Sequence, residues 1–207
     1  MKPTSPDGPL MRPPPLQVRL EAGVLTLTNT DAPWNRMSTE YMDALERAVQ
    51  DAATDPRVRV LVFTADGDEN FSVGMDLKQL ADRMTDRPAL ERLLDQRLRV
   101  LARIESLDKP SIATLFGYCL GGGLELPLAC HFRLAAETGA SIGLPELELG
   151  VVPAWGGTAR LTRCVGRDKA LDLMLRARKI DGPEALRIGL VHSVHPAGQL
   201  KAAAHAL

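Results

Sequence analysis

Several features that would mark a secreted, metal-binding or nucleic-acid-binding protein are missing from the sequence. The three cysteines, Cys119, Cys130 and Cys164, are odd in number and lack paired Cys/His spacing. This argues against both a disulfide framework and a zinc site. The formal net charge is -1, so electrostatics give no reason to expect binding to nucleic acid or to an anionic membrane surface.

Long apolar runs are missing as well. No run approaches the length of a membrane span, and the N-terminus has no apolar segment of the signal-peptide type. Together with the unpaired cysteines, this predicts a reduced, cytoplasmic setting. The composition is otherwise ordinary, since 207 residues with 45% hydrophobic and 25% charged side chains suit one soluble domain with a sizeable core.

Proline is concentrated at the N-terminus. Residues 1–15 contain six prolines, a density that no helix or sheet ladder tolerates. We therefore predict a disordered leader over residues 1–15 and a folded domain over residues 16–207.

Strand and helix patterns alternate along the rest of the chain. Residues 16–20 and 24–28 alternate in polarity around a Gly-containing turn, which predicts a hairpin. Ser38 is predicted to cap a helix that ends near Ala53. Residues 58–64 and 111–115 are apolar and predict buried strands. The alternation indicates the α/β class.

A long amphipathic helix is predicted over residues 88–107. Its Arg and Glu residues are expected on the solvent face. The positions expected to face the core are Leu90, Leu93, Leu94, Leu98, Leu101 and Ile104.

The functional prediction begins with residues 116–128, whose sequence is Phe-Gly-Tyr-Cys-Leu-Gly-Gly-Gly-Leu-Glu-Leu-Pro-Leu. A strand followed by three glycines and a buried helix start leaves free N–H groups that a ligand can approach closely. Glu125 lies three residues after Gly122, so its carboxylate shares a face with the Gly122 amide. Such a pair suits chemistry next to a carbonyl, although a glycine triplet alone is often only a loop.

A second stretch, Asn-Phe-Ser-Val-Gly-Met-Asp-Leu-Lys at residues 70–78, makes the first more specific. In order and separation the two resemble the crotonase (enoyl-CoA hydratase/isomerase) superfamily, with its Phe-Ser-x-Gly-x-Asp-Leu loop and Gly-Gly-Gly-x-Glu-Leu helix start. The resemblance covers about residues 16–196 and implies an α/β spiral of ββα units. It also implies a homo-oligomer, a trimer or hexamer, and a chain that is short at the C-terminus and lacks most of the usual helical region there.

The resemblance also implies the site residues. It assigns an oxyanion hole to the amides of Met75 and Gly122, and the catalytic acid–base pair to Glu125 and Glu146. Glu125 would deprotonate water, and a protonated Glu146 would deliver the α-proton. Glu148 remains an open competitor for Glu146, because the two lie two residues apart. The remaining implied substrate-binding positions are Arg36, Met37, Val73, Gly74, Asp76, Leu77, Tyr118, Gly121 and Pro145.

The activity that the resemblance implies is an enoyl-CoA hydratase of fatty acid metabolism, acting on an acyl-CoA thioester. No metal or redox cofactor is implied, since coenzyme A is part of the substrate. Isomerase, lyase or hydrolase chemistry on an acyl-CoA remains open, as does a non-catalytic acyl-CoA-binding subunit. For Trp155, a wall of the acyl pocket and ordinary core packing are both open. Arg36 is either a contact for a CoA phosphate or a solvated loop residue.

Overall fold

The structure, a computed structural model, describes residues 14–83 and 85–207. The leader predicted for residues 1–15 lies outside the described residues, except for Pro14 and Pro15. The strands are β1 (Leu16–Glu21), β2 (Val24–Asn29), β3 (Val60–Ala65), β4 (Ser111–Leu115), β5 (Tyr118–Leu120), β6 (Phe132–Ala136), β7 (Ser141–Gly143), β8 (Lys179–Ile180) and β9 (Ser193–His195). The helices are α1 (Thr39–Thr54), α2 (Leu77–Ala81), α3 (Arg87–Glu105), α4 (Gly122–Ala129), α5 (Gly157–Val165), α6 (Arg167–Leu175), α7 (Gly182–Arg187) and α8 (Ala197–Ala206), with a 3₁₀ helix at Glu146–Leu149.

The larger sheet has six strands in the order β1-β2-β3-β4-β6-β9. The first two strands pair antiparallel as the predicted hairpin, and all other neighbours pair parallel. All residues of β3 after Val60 are buried, as expected for a parallel strand that is covered on both faces. The predicted α/β class is confirmed.

A smaller sheet joins β5, β7 and β8 beside the start of α4. Its strands are two or three residues long, and β7 pairs parallel with β5 and antiparallel with β8. Residues 141–150, predicted as a loop or short strand, contain β7 and the 3₁₀ helix. This sheet positions the 3₁₀ helix relative to α4, because the Gly121 amide donates to the Gly143 carbonyl at 3.1 Å.

Helix α1 begins where the sequence predicts. The Ser38 side chain accepts a hydrogen bond from the Tyr41 amide at 3.1 Å and caps the helix. The apolar stripe of Met42, Leu45 and Val49 is buried against the sheet, in agreement with its helical spacing.

Helix α3 corrects two sequence predictions. Arg97, expected on the solvent face, is only 1% exposed, whereas Leu98, expected in the core, is 40% exposed. The buried residues of α3 are Leu93, Arg97, Val100, Leu101 and Ile104, which lie on one face of the helix. The prediction that Leu98 faces the core was wrong. Each residue turns a helix by about 100°, so Leu98, which follows Arg97, lies off the buried face.

Candidate active site

Backbone hydrogen bonds hold the two motif segments side by side. The amides of Phe71 and Ser72 donate to the carbonyls of Phe116 at 2.8 Å and Tyr118 at 2.9 Å. The Leu120 amide donates back to the Ser72 carbonyl at 3.1 Å. Two segments distant in sequence therefore form one framework around the start of α4.

The loop at Gly74 passes directly against the start of α4. Gly74 has a φ of +94°, and a Cβ there would lie 2.7 Å from the Leu120 carbonyl oxygen and 3.3 Å from the Gly122 nitrogen. Glycine is required both for the positive φ and for this close approach. Met75 therefore follows the point at which the loop lies closest to the Gly122 amide.

The two amides predicted as an oxyanion hole, those of Met75 and Gly122, are not used in the backbone hydrogen bonds around the site. Gly122 is the first residue of α4, so its N–H has no acceptor within the helix. Outside the helices and strands of the described residues, no backbone hydrogen bond uses the N–H of Gly122 or of Met75. In the described residues, each of the two N–H groups therefore lacks a backbone acceptor.

Trp155 covers the same helix start. Its side chain is 3% exposed, and a Cβ on Gly122 would lie only 2.3 Å from Cζ3 of the indole. The ring therefore packs in the core and also lies against the backbone that presents the Gly122 amide. Of the two alternatives left open for Trp155, the structure shows core packing, and a wall of an acyl pocket stays a prediction.

Glu125 lies one turn into α4 and is 2% exposed. Its Oε1 accepts hydrogen bonds from the amides of Trp155 at 2.8 Å and Gly157 at 2.7 Å. Burial raises the pKa of Glu125 to about 7; the Gly157 amide opposes this rise, and the nearby charge of Glu146 adds to it. A carboxyl group with a pKa near neutrality can both take and give a proton.

Glu146 approaches the same helix start from the 3₁₀ helix. Its Oε1 lies 3.0 Å from the position of a Cβ on Gly121, and its Oε2 is buried without a hydrogen-bond partner. Burial raises the pKa of Glu146 as well. Because no donor stabilises the charge at Oε2, this environment favours the protonated form.

Glu148 points elsewhere. Its exposed carboxylate forms an ion pair with Lys179, whose Nζ lies 2.7 Å from Oε1. The 3₁₀ turn separates Glu148 from Glu146, so only Glu146 reaches the helix start that Glu125 shares.

Three predicted substrate-binding residues, Met37, Val73 and Tyr118, lie in or beside the two motif segments. Met37 is buried and donates its amide to the Gly74 carbonyl at 2.8 Å, and Val73 donates to the Trp34 carbonyl at 3.1 Å. Tyr118 is 44% exposed.

Other predicted positions lie at element boundaries. Gly121 precedes α4, and Pro145 precedes the 3₁₀ helix. Asp76 caps α2 by accepting from the Lys78 amide at 3.0 Å, and Leu77 begins that helix with its side chain exposed. The Arg36 guanidinium forms an exposed ion pair with Asp31, with 2.6 Å between Nε and Oδ2. This contact raises the pKa of Arg36.

Three contributors to the site were missed from the sequence. The amides of Trp155 and Gly157 hold Glu125, and a Cβ on Gly157 would lie 2.7 Å from the Glu125 Oε1. The Gly-Gly pair at residues 156–157 is the sequence signal for this close approach. The third is Arg97, which lies beside Trp155 with its Cζ 5.9 Å from the ring centroid, and whose signal is its helical spacing from Leu93, Leu101 and Ile104.

Two searches of the described residues complete the account of the site. Across residues 14–83 and 85–207, no group of three or more His, Cys, Asp or Glu side chains is placed to hold a metal ion. In the same part of the chain, no helix is both long and apolar enough to cross a membrane.

Comparison with known proteins identifies the family and confirms the predicted crotonase-like spiral. The sequence model of the enoyl-CoA hydratase/isomerase family matches residues 19–207. A probable enoyl-CoA hydratase of Bacillus subtilis (strain 168) is 39% identical over 176 residues, which is 85% of this chain and 67% of that protein.

Solved structures give the same result. An enoyl-CoA hydratase from Geobacillus kaustophilus HTA426 superposes with a TM-score of 0.89 at 32% identity and covers 95% of this chain and 74% of its own. An enoyl-CoA hydratase from Bacillus anthracis has a TM-score of 0.86 at 32% identity, over 93% of this chain and 74% of its own.

Proposed function

The chain belongs to the enoyl-CoA hydratase/isomerase family, and from that premise we propose that it adds water across the double bond of a 2-enoyl-CoA thioester. The proposal rests above all on one observation. The buried carboxyl group of Glu125 and the half-buried one of Glu146 lie beside a helix start whose amide has no backbone acceptor and can bind an oxygen. Hydration needs both, because it transfers a proton at each of two positions.

The thioester carbonyl oxygen would accept hydrogen bonds from the amides of Met75 and Gly122. When water adds to the β-carbon, negative charge gathers on this oxygen as an enolate. Donors that are already in place stabilise that charge without reorganisation, and one such donor is typically worth about 10²–10³ in rate.

The two carboxyl groups divide the proton transfers. Glu125, held by the amides of Trp155 and Gly157 at Oε1, keeps Oε2 for the attacking water and takes its proton. Glu146 gives a proton to the α-carbon. One proton is thus taken from water and one is delivered to carbon, so the reaction balances once the proton returns from Glu125 to Glu146.

A direct assay tests the proposal. Loss of the enoyl-thioester absorbance of crotonyl-CoA, with 3-hydroxybutyryl-CoA identified as the product, is the expected result. Conversion of a 3-enoyl-CoA to its 2-enoyl isomer without hydration would replace the proposed activity with an isomerase. Tight binding of acyl-CoA without turnover, in a folded sample, would indicate a binding subunit.

A further inference from the structure

Arg97 is a buried cation with unused donors. Its Nη1 donates to the Gln96 Oε1 at 2.6 Å and weakly to the Leu93 carbonyl at 3.4 Å. The Nε and Nη2 groups are buried and have no hydrogen-bond partner, and no described carboxylate forms a salt bridge with this side chain. A charge buried in this way is destabilising unless something pairs with it.

The unused atoms have a specific geometry. Nε and Nη2 form one edge of the planar guanidinium, and that edge matches the two oxygens of a carboxylate in a bidentate pair. Burial lowers the pKa of Arg97 to about 10, so the side chain remains charged at neutral pH. The missing partner should therefore be an anion with two oxygens in one plane.

Arg97 is also close to the proposed reaction centre. Its Cζ lies 5.9 Å from the centroid of the Trp155 ring. The same ring packs on Gly122, and the Trp155 amide holds Glu125 at 2.8 Å. Trp155 therefore lies next to Arg97 and also contacts Gly122 through its ring and Glu125 through its amide. In the proposed reaction, the Gly122 amide and the Glu125 carboxylate act on the thioester.

An open groove of about 460 Å³ beside α3 reaches Arg97. Its charged lining residues are four arginines and one carboxylate: Arg83, Arg92, Arg97, Arg99 and Asp95. The groove beside Arg97 is therefore predominantly cationic and favours an anion, while Nε and Nη2 themselves are buried next to it.

We propose that Arg97 binds a carboxylate at the far end of the acyl group, so that the protein prefers CoA thioesters whose acyl chain ends in a carboxylate. This rests on the proposed function, because the thioester oxygen must occupy the amides of Met75 and Gly122. A purely structural role explains less. An uncharged side chain of similar length would pack against Trp155 without leaving two buried donors unpaired.

Calorimetric titration with saturated thioesters tests the proposal without requiring turnover. The probes are glutaryl-CoA and pentanoyl-CoA, which match in chain length and differ in the terminal carboxylate. Wild-type protein should bind glutaryl-CoA about 10- to 100-fold more tightly, as expected for charge-assisted hydrogen bonds in a buried site. Arg97→Met should bring the ratio close to one, whereas Arg103→Met, an exposed arginine on the same helix, should keep it.

Each result has a defined meaning. A thermal melting curve for Arg97→Met establishes that the variant is folded, and Arg97→Lys should retain part of the preference if the charge is responsible. Equal affinities of the wild type for both thioesters would overturn the inference and leave the proposed function intact. Absence of binding to either thioester would overturn both. Arg97-dependent binding of free glutarate, without preference for its CoA thioester, would assign the site to a free acid and also overturn the inference.

Discussion

Glu125 and Glu146 both lie near the start of α4, in environments that differ. Two backbone amides donate to the first, whereas an oxygen of the second is buried without any donor. Burial raises the pKa of both. Two like groups can thus be given opposite tasks by hydrogen bonding alone, because donors favour the charged form and their absence favours the neutral form.

The same contrast appears between Glu146 and Glu148, only two residues apart. Glu148 is exposed and paired with Lys179, so it is an ordinary surface ion pair of small energetic weight. The 3₁₀ turn, rather than residue type, separates an acid–base candidate from a solvated side chain.

The largest effect is expected at Glu125. Glu125→Gln keeps an oxygen for the two amides but removes the base, so the kcat for hydration should fall by about 10²–10⁴. The assay is the loss of enoyl-thioester absorbance at saturating crotonyl-CoA. Retention of more than a tenth of the wild-type kcat would contradict the assigned role.

A loss of kcat of similar size is expected for Glu146→Gln but not for Glu148→Gln. Glu146→Gln should reduce kcat by about 10²–10⁴, because the α-carbon loses its proton donor. Glu148→Gln, its matched control, should remain within about twofold of wild type, because its carboxylate faces Lys179 rather than the helix start. The reverse pattern would move the second carboxyl group of the site to Glu148.

A smaller effect should follow from displacing an oxyanion donor. In Gly122→Ala the new Cβ meets the Trp155 ring at 2.3 Å, so the helix start must shift. We expect kcat/KM to fall by about 10²–10³, the usual weight of one such donor. Gly198→Ala in α8, where a Cβ meets nothing within 4 Å, is the control and should leave kcat/KM unchanged.

The smallest predicted effect concerns stability. The ordinary pKa of Glu125 is 4.5 and its folded value is about 7, so the folded state holds a proton that the unfolded chain releases over this pH range. The free energy of unfolding contributed by this group therefore falls as pH rises from about 4.5 to 7.

Glu125→Gln removes the titrating group and with it this decrease in the free energy of unfolding. Relative to wild type, the variant should gain about 1–3 kcal/mol in free energy of unfolding at pH 8 compared with pH 4. Urea denaturation at both pH values measures the difference. An equal difference between variant and wild type at both pH values would mean that Glu125 is not perturbed as described.

Much of the frame could be predicted from local sequence, because its signals lie within single elements. Ser38 caps α1 by accepting a hydrogen bond from Tyr41, only three residues later. The apolar runs of β3 and β4 predict buried strands. Strands β5 and β8 escaped prediction, and β7 was predicted only as a loop or short strand, because two or three residues are too few to show a period.

The missed parts of the site depend on contacts between distant segments. The bonds from Trp155 and Gly157 to Glu125 span about thirty residues, and no local pattern encodes them. Arg97 was placed on the solvent face by its charge, yet its spacing from Leu93 and Leu101 puts it among buried residues. At this position helical spacing predicts burial better than residue type does. Because the buried side chain has donor atoms without partners, Arg97 is also a candidate functional residue.

Exchange of the α-proton of butyryl-CoA in D₂O, followed by ¹H NMR, tests the division of labour most directly. The reaction needs the oxyanion hole and the group that serves the α-carbon, but no attacking water. Wild type and Glu125→Gln should both exchange the proton, and Glu146→Gln should not. Exchange that persists in Glu146→Gln and disappears in Glu125→Gln would contradict the account.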